Sequence, residues 1–188
     1  MKNIITIRKA VQSDAHFIAQ IVAMAIGDED ALIQYCGNNY ISVLTEIASH
    51  ENTQYSWQNS LVAEVDGMVA GAVIGYDGAL LSILRNGTFA ILQTLVGQTP
   101  EIADETQTGE YYLDSIGVLP QYRGSGLGRL LVDEFCKQAF SNGHNRVGLI
   151  VDFNNPNAER LYTSLGFKRV GIKPFFGHQM WHLQRINP

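Results

Sequence analysis

Three glycines, Gly124, Gly126 and Gly128, fall within five positions of the stretch "QYRGSGLGRLL". The preceding segment, "EYYLDSIGV", has the composition of a strand and stops at Pro120, which has no N–H to donate to a sheet. The apolar residues after the glycines keep helical spacing, and the helix is predicted to end at "SNG". The chain therefore has to pass from a strand into a helix through a nearly bare backbone, which favours a fold that mixes the two.

This strand-to-helix junction has the properties of an anion site. The first amides of a helix have no partner within it and lie at the positive end of its dipole, and glycine leaves room for a phosphate. The Walker pattern G-x-x-x-x-G-K-[ST] is absent, and the dinucleotide pattern G-x-G-x-x-G fails because Arg129 stands where its third glycine is required. Two interpretations remain at this point: a phosphate cradle, or a tight turn that needs glycine only for its conformation.

The first part of the chain has the pattern of alternating strands and helices. "NIITIRKAV" predicts a strand, and the segment after it predicts a helix whose first amides are capped by Asp14. A further helical region is predicted to break near Gly37, and Asp66-Gly67 predicts a hairpin turn between two β-rich runs. The order of elements predicts one domain of the α/β (α+β) class with a mixed sheet.

Residues 78–109 have the least distinct pattern. "ALLSILRNGTFAILQTLVG" predicts a helix with a weak point at Asn86-Gly87, and "QTPEIADETQTG" predicts a polar loop. The helical part carries more apolar surface than a segment left in water would. We expect it to form a helical lid over the acceptor side of a ligand pocket, with a helix that only thickens the core as the equal alternative.

Composition and charge argue against several classes of protein. The net charge of −5 disfavours nucleic acid as a partner. No apolar run approaches the roughly 18 residues that a membrane helix needs, and the N-terminus lacks the apolar core of a secretion signal. Cys36 and Cys136 lie far apart with no metal-like spacing. We therefore expect a cytoplasmic protein with two reduced thiols, no metal and no membrane partner.

A second pattern, N-P-x-A-x-x-L-Y-x-x-x-G-F, runs from Asn155 to Phe167. It follows a buried strand and predicts an Asn-Pro turn and a short helix. On their own, Leu161 and Tyr162 are typical of ordinary core residues. Their position after the glycine-rich junction gives them a second interpretation, as part of a ligand site.

The two patterns together resemble the GNAT family of N-acetyltransferases. The resemblance rests on Q-x-x-G-x-G at Gln121, Gly124 and Gly126, directly after a strand ending in V-x-P, and on the second pattern that follows. It covers roughly residues 111 to 172. It implies a GNAT-like mixed, mostly antiparallel sheet with splayed parallel central strands, flanked by helices. It also implies a single acyltransferase domain over residues 1–188, with an insertion at about 78–109.

The resemblance implies acetyl-CoA as a cosubstrate, bound between the splayed strands, and no metal. Exposed strand backbone would pair with the pantetheine amides. The glycine-rich loop would hold the pyrophosphate, with Arg123 or Arg129 adding charge, and Asn155 would contact the pantetheine arm. The residues implied in cofactor binding are Ile116, Gly117, Val118, Gln121, Arg123, Gly124, Ser125, Gly126, Leu127, Gly128, Arg129, Asn155, Ala158 and Tyr162.

The resemblance also implies a mechanism, in which an amine attacks the thioester directly within a ternary complex. Tyr162 would protonate the departing thiolate, because a phenol is a donor at neutral pH. The N–H of Val118 would polarise the thioester carbonyl.

The base is less well defined by the sequence. In several relatives a glutamate on the first splayed strand has this role, at the position that Tyr112 occupies here. Strand alternation, if no bulge intervenes, places five residues on one face: Glu110, Tyr112, Asp114, Ile116 and Val118. Asp114 is the preferred base and Glu110 the second, and proton loss to water is the alternative.

The acceptor is expected to be a small-molecule or peptide amine, which the sequence does not identify further. "GDEDA" at residues 27–31 lines the amine pocket in one interpretation and forms a solvated face in the other. His178 and His182 are expected to be solvated or satisfied in the core, and "FFGHQMW" fits core packing or a homodimer contact. Two other functions stay open: a non-catalytic acyl-CoA-binding or sensor module, and a different phosphate-ligand domain such as a nucleotide binder.

Overall fold

The computed structural model describes residues 3–175 and 177–188, which build seven strands and six α-helices. The strands are β1 Ile5–Lys9, β2 Ser60–Val65, β3 Met68–Asp77, β4 Tyr111–Val118, β5 Arg146–Asp152, β6 Lys168–Phe175 and β7 His178–Ile186. The helices are α1 Ala15–Ile26, α2 Glu29–Cys36, α3 Tyr40–Ser49, α4 Leu81–Leu95, α5 Leu127–Ser141 and α6 Pro156–Ser164. Phe176, part of the aromatic run noted above, lies outside the described residues.

All seven strands of the described residues belong to one sheet with the order β1-β2-β3-β4-β5-β7-β6. Every neighbouring pair is antiparallel except β4 and β5, which are parallel. Asp66 and Gly67 both have positive φ, 50° and 79°, and join β2 to β3 as the hairpin turn predicted from their sequence. The prediction of a mixed, mostly antiparallel sheet is confirmed.

Hydrophobic side chains cover both faces of the sheet. On one face α1 and α3 pack against β2 and β3, and on the other α5 and α6 pack against β2 to β5. The predicted break near Gly37 separates α2 from α3. Cys36 and Cys136 are both buried and free. Within the described part of the chain, no helix has both the length and the apolar composition that crossing a membrane requires.

Asp14 does not cap α1, so that prediction is wrong. Its carboxylate accepts from the guanidinium of Arg8, at 2.7 and 3.1 Å, and from the N–H of Val11 at 2.8 Å. Arg8 lies on β1 directly before the turn, and a charge-assisted bidentate pair is stronger than a neutral cap bond. The carboxylate therefore ties the start of α1 back to the strand.

The predicted weak point at Asn86-Gly87 is also wrong, because α4 runs through it without a break. A Cβ at Gly87 would overlap the backbone carbonyl of Asn52, so the glycine allows α4 to pack closely against that loop. Leu92 and Thr88 on the same helix are fully buried. The helix is thus part of the core, and the loop after it, predicted as polar, also buries Glu105.

Candidate active site

The centre of the sheet opens where β4 and β5 stop pairing. The two strands are paired only at Tyr111↔Val147 and Tyr112↔Gly148, so their remaining residues leave facing backbone edges that are not joined to each other. A cleft of about 710 Å³ starts at this point. Both strands, the C-terminal part of α1, α2, α6 and the loop after α4 contribute to its walls. The fold therefore places two free strand edges along the floor of one elongated cavity.

The glycine-rich loop lies between β4 and α5 and has an open outer side. Gly124 and Gly126 have φ values of +76° and +85°, a conformation that strongly favours glycine. The first intrahelical bond of α5 runs from Leu130 N–H to Gly126 O, so the amides of residues 127–129 have no partner within the helix. No atom lies within 4 Å of the position that a Cβ would take at either glycine. Both interpretations of the glycines hold: they are required by the turn and they leave space for an anion.

The residues predicted to bind the cofactor fall into two groups. Those that line the cleft are Ile116, Gly117, Val118, Arg123, Gly128, Asn155, Ala158 and Tyr162. Those that lie on the loop or behind it, outside the lining, are Gln121, Gly124, Ser125, Gly126, Leu127 and Arg129. Leu127 is 1% exposed and packs in the core beneath the loop, so it contributes only its backbone. Arg129 reaches the other way and donates to Ser164 Oγ at 2.6 Å.

Arg123 and Asn155 are held by contacts within the protein at the edge of the cleft. Arg123 Nε donates to the carbonyl of Val118 at 3.2 Å, which fixes the guanidinium beside the free strand edge. Asn155 caps α6, because its side-chain oxygen accepts from Ala158 N–H at 3.1 Å. The side-chain NH₂ of Asn155 can still donate toward the cleft.

Tyr162 lies in the wall of the cleft and is 7% exposed. Its ring packs edge-on against Phe167, with 5.8 Å between centroids. Burial raises the pKa of its phenol to about 12. The hydroxyl therefore stays protonated at neutral pH and is available as a proton donor.

A β-bulge at Asp114 breaks the alternation that the sequence analysis assumed. Ile74 pairs with Ser115 and Gly75 with Leu113, which leaves Asp114 as the extra residue of β4. Tyr112 packs with Tyr76 and the first turn of α4 on one face of the sheet. Ile116 and Val118 pack instead with the apolar residues beside α5 on the other face. The expectation that all five residues share a face is therefore wrong, although Tyr112 and Asp114 both line the cleft.

Asp114 has the environment of a base that works near neutral pH. Its carboxylate accepts from Tyr76 Oη and from Ser115 Oγ, both at 2.9 Å. Burial, followed by the nearby charge of Glu105, raises the pKa of Asp114 to about 7. A carboxyl group with this pKa is partly ionised near physiological pH, and its ionised form is basic enough to accept a proton.

Glu110 lies outside the cleft, directly before Tyr111 and the paired segment of β4 and β5. It is 1% exposed and accepts from Thr106 Oγ1 at 2.7 Å, from Gln184 Nε2 at 2.7 Å and from the ring of His182 at 2.9 Å. Burial alone would raise the pKa of Glu110, but these hydrogen bonds outweigh it and lower the pKa. A Cβ at Gly148 would overlap the Glu110 carboxylate, so the glycine makes room for it. Glu110 thus holds the closed end of the opening and does not face a ligand there.

Four polar residues near Asp114 were missed by the sequence analysis: Gln54, Tyr76, Arg85 and Glu105. They come from the loop before β2, from β3, from α4 and from the 98–109 loop, and hydrogen bonds or ion pairs connect them. All but Tyr76 line the cleft. No local pattern marks any of them, because the chain brings them together only through long-range packing.

The rim of the cleft at the start of α2 is acidic. Asp28 and Asp30, from the run at residues 27–31, are exposed and line the cleft at the start of α2. His178 also lines it and contacts Asp152 at 2.6 Å. Among residues 3–175 and 177–188, no three His, Cys, Asp or Glu side chains are grouped as a metal site.

Comparisons with known proteins agree with this geometry. Residues 32–167 match the Acetyltransferase (GNAT) family. A solved structure described as an acetyltransferase is 33% identical, with a TM-score of 0.81, and the match covers 96% of this chain and 98% of that one. An N-acetyltransferase from Staphylococcus aureus Mu50 is 26% identical, with a TM-score of 0.77 and coverage of 95% and 99%.

Two curated relatives match over shorter stretches. The mycothiol acetyltransferase of Beutenbergia cavernae is 34% identical over 54% of this chain and 33% of its own length. The N-alpha-acetyltransferase RimI of Mycobacterium tuberculosis is 40% identical over 42% of this chain and 43% of its own length. The chain thus spans less than half the length of these relatives.

Proposed function

The chain belongs to the GNAT acetyltransferase family, and we propose that it transfers an acetyl group from acetyl-CoA to a primary amine by direct attack in a ternary complex. The observation that carries the proposal is the opening between β4 and β5 beyond Tyr112↔Gly148, with Tyr162 and Asp114 in the walls of the same cleft. Free strand edges, a proton donor and a base are thereby combined along one cavity.

The residues present fit a long, partly peptide-like cofactor that ends in phosphates. The free edge of β4 near Ile116 and Val118 can pair with amide groups as an added strand would. The unpaired amides at the start of α5 suit a pyrophosphate, and the open outer side of Gly124 and Gly126 leaves room for it. Arg123 adds positive charge, and the NH₂ of Asn155 adds a donor. Acetyl-CoA would supply the acetyl group in activated form, as a thioester.

The chemical roles follow from the environment of each residue. Asp114 would accept the proton that the amine loses, since the pKa of its carboxyl is raised to about 7. The N–H of Val118 would polarise the acyl carbonyl. Tyr162 would donate its proton to the sulfur that leaves, because burial keeps its phenol protonated. We keep Glu110 in a structural role, because its carboxylate is already saturated with donors.

The acceptor is proposed to enter from the acidic rim and to be cationic before it reacts. Asp28 and Asp30 would attract a protonated amine, which then loses its proton to Asp114. The name of one relative, an N-alpha-acetyltransferase, suggests peptide N-termini as acceptors, whereas mycothiol acetyltransferase suggests a small molecule. We propose one acyltransferase domain that acts in the cytoplasm, without nucleic acid, membrane or metal; a homodimer stays a prediction.

A thiol-release assay with acetyl-CoA tests the proposal. The amine panel would contain peptides with free N-termini, polyamines, amino sugars and amino acids, and calorimetry would compare CoA with ATP and NAD. We expect CoA to bind and at least one amine to release thiol above the hydrolysis background. CoA binding without turnover of any amine would favour a sensor module, and failure of CoA to bind would overturn the proposal in favour of another phosphate ligand.

A further inference from the structure

A buried polar network connects Asp114 to the loop that follows α4. The Tyr76 hydroxyl lies 2.9 Å from Asp114 Oδ2 and 3.2 Å from Glu105 Oε1, so it bridges two carboxyl groups. Gln54 Nε2 lies 3.1 Å from the same hydroxyl and 3.0 Å from Glu105 Oε1. Tyr76 and Glu105 are 1% and 2% exposed, so bulk water does not replace these contacts.

The number of hydrogens on the Tyr76 oxygen limits what the bridge can do. A phenol has one proton to donate, and here its oxygen also accepts from Gln54. If both carboxyl groups were ionised, Tyr76 would donate to one of them and turn a lone pair toward the other. Such a buried, unpaired contact between two acceptors is costly. One extra proton on the carboxyl pair removes the conflict, because the protonated carboxyl then donates to the phenol oxygen.

The neighbours of the two carboxyl groups show which of them keeps the negative charge. Glu105 forms an ion pair with Arg85 and accepts from Gln54. Arg85 is also held by Asp104 at 2.5 Å, so the cation stays in place. Among the residues that the structure describes, Asp114 accepts, apart from Tyr76, only from the hydroxyl of Ser115. In the resting state the extra proton therefore belongs on Asp114.

We propose that Asp114, Tyr76 and Glu105 form one unit that shares a single carboxylic proton, and that Tyr76 and Glu105 are positioning residues for Asp114. The use of this unit in amine deprotonation rests on the proposed function. The shared proton itself does not, since it follows from the contacts of the free protein.

The proton can move within the unit without any change in its total charge. The O–H bond of Asp114 breaks as its proton bonds to the Tyr76 oxygen, and the Tyr76 proton moves to Glu105 Oε1. Asp114 is then a carboxylate that faces the cleft, and the amine transfers its proton to it. The unit has gained one proton in total, which is released to solvent after the reaction. Glu105, from the insertion, thus allows a base to form without placing two negative charges side by side.

The electrostatics of the surrounding elements agree with this assignment. Burial raises the pKa values of both carboxyls, and the charge of Glu105 raises the pKa of Asp114 further, whereas Arg85 of α4 lowers the pKa of Glu105. Asp104, an exposed carboxylate paired with Arg85, also raises the pKa of Glu105. Three phenols face the pair as well: Tyr35 of α2, Tyr55 of the loop before β2, and Tyr112 of β4. The pKa values of all three are raised, so they stay neutral over the range in which the carboxyl pair titrates.

An infrared pH titration of the free protein tests the shared proton with no cofactor or amine present. We expect the wild type to show a carboxylic C=O band that disappears with a midpoint near 7, because burial and the charge of Glu105 raise the pKa of Asp114 to about 7. In both Asp114→Asn and Glu105→Gln the midpoint should fall by at least about one pH unit, because the remaining carboxyl loses a like charge. Glu101→Gln, an exposed residue of the same loop, is the matched control and should leave the midpoint unchanged.

Tyr76→Phe tests whether the two carboxyls share a proton through the phenol or only repel each other because they are close. Both carboxylates lose a donor to their ionised forms, so the midpoint should rise, opposite in sign to the effect of Glu105→Gln. Tyr111→Phe is the control, since this phenol lies on the face of the sheet packed against Phe135. A wild-type midpoint in Glu105→Gln or in Asp114→Asn would overturn the proposal, even if Tyr76→Phe does not fold. Because this titration uses no acetyl-CoA, such a result would not affect the proposal of acetyl transfer. Conversely, absence of turnover with all amines would contradict acetyl transfer but not the shared proton.

Discussion

The two ends of the cleft differ in the groups that they offer to a ligand, backbone at one end and side chains at the other. At the end proposed for the cofactor the available groups are mostly backbone: the edge of β4 in the opening, and beside it the left-handed turns at Gly124 and Gly126 and the first amides of α5. At the acceptor end they are side chains, the carboxyls of Asp114 and Glu105 among them, and hydrogen bonds and an ion pair fix them in place. The first end suits the proposed cofactor, whose amides and phosphates pair with backbone, and the second suits an acceptor that is recognised by side chains.

The difference determines which end responds to which kind of substitution. A backbone site changes only when a substitution alters the conformation or fills the space, whereas a side-chain site changes when one functional group is removed. Four predictions test this contrast.

The largest effect is expected where the two ends meet, at Tyr162. Tyr162→Phe keeps the ring packed against Phe167 but removes the proton donor. We expect kcat to fall by about 10²–10⁴-fold, the usual contribution of a positioned acid, while CoA affinity stays at the wild-type level. Steady-state kinetics and calorimetry measure the two quantities. A wild-type kcat would show that Tyr162 only packs, or that proton donation does not limit the rate.

Gly126→Glu should disable the cofactor end selectively. A side chain in the left-handed region costs about 1–2 kcal/mol, and the added carboxylate repels a pyrophosphate, so CoA affinity should fall roughly 10²-fold. Gly97→Glu is a matched control, since Gly97 also has a positive φ of +78° and open surroundings but follows α4. We expect the control to lose stability without losing CoA affinity. Equal affinities for CoA in the two folded variants would rule out the loop as the phosphate site.

Asp114→Asn should change the pH dependence of stability. The pKa of Asp114 is raised to about 7 from 3.8, so the folded protein binds more protons than the unfolded chain between these values. The contribution of this carboxyl is therefore fully present at low pH and is lost as pH rises through about 7. Thermal melts should show the wild type losing at least about 2–4 °C relative to the variant between the ends of this window. That is the Tm change produced by 1 kcal/mol, and a pKa raised from 3.8 to about 7 corresponds to more than this. A pH-independent difference in Tm would contradict the assignment.

The smallest effect is expected at the acidic rim. Asp30→Asn removes an exposed carboxylate that lines the cleft but has no fixed partner to lose. Exposed charges contribute little, about 0.2–1 kcal/mol, so acceptor KM should rise at most a few-fold, more at low salt than at high salt. Glu51→Gln, on an exposed turn outside the cleft lining, is the control. A rise in KM that does not depend on salt would contradict an electrostatic role.

The features that the sequence predicted are those with a local cause. The Asp66-Gly67 hairpin needs two residues of positive φ, and the junction before α5 needs Gly124 and Gly126 for the same reason. The helix that carries Tyr162 could be placed because its pattern contains its own cap, with Asn155 starting α6, whereas the site role of Tyr162 came from the resemblance to the GNAT family. In each case the physical requirement and the residues that meet it lie within a few positions of each other.

The features that the sequence did not predict depend on distant residues. Gly87 weakens a helix in isolation, yet in α4 it allows close contact with Asn52, which only the folded chain brings near. Asp14 is a residue type that often caps helices, but here Arg8 competes for its carboxylate. The bulge at Asp114 depends on how β4 pairs with β3, and the residue pattern of β4 alone contains no information about that pairing.

The short seam between β4 and β5 has a consequence for how the molecule unfolds. Within the described residues, strand pairing joins β1–β4 to β5, β7 and β6 at only two residue pairs, which Glu110 supports from behind. With so few hydrogen bonds across the seam, cooperativity between the two parts is weak there, and amides of β5 should exchange through partial opening of the molecule. A cofactor bound as proposed would pair with the edge of β4 and fill the space between β4 and β5, and would so connect the two parts of the sheet. Binding would then make the sheet unfold as a single unit, with slower amide exchange far from any direct contact.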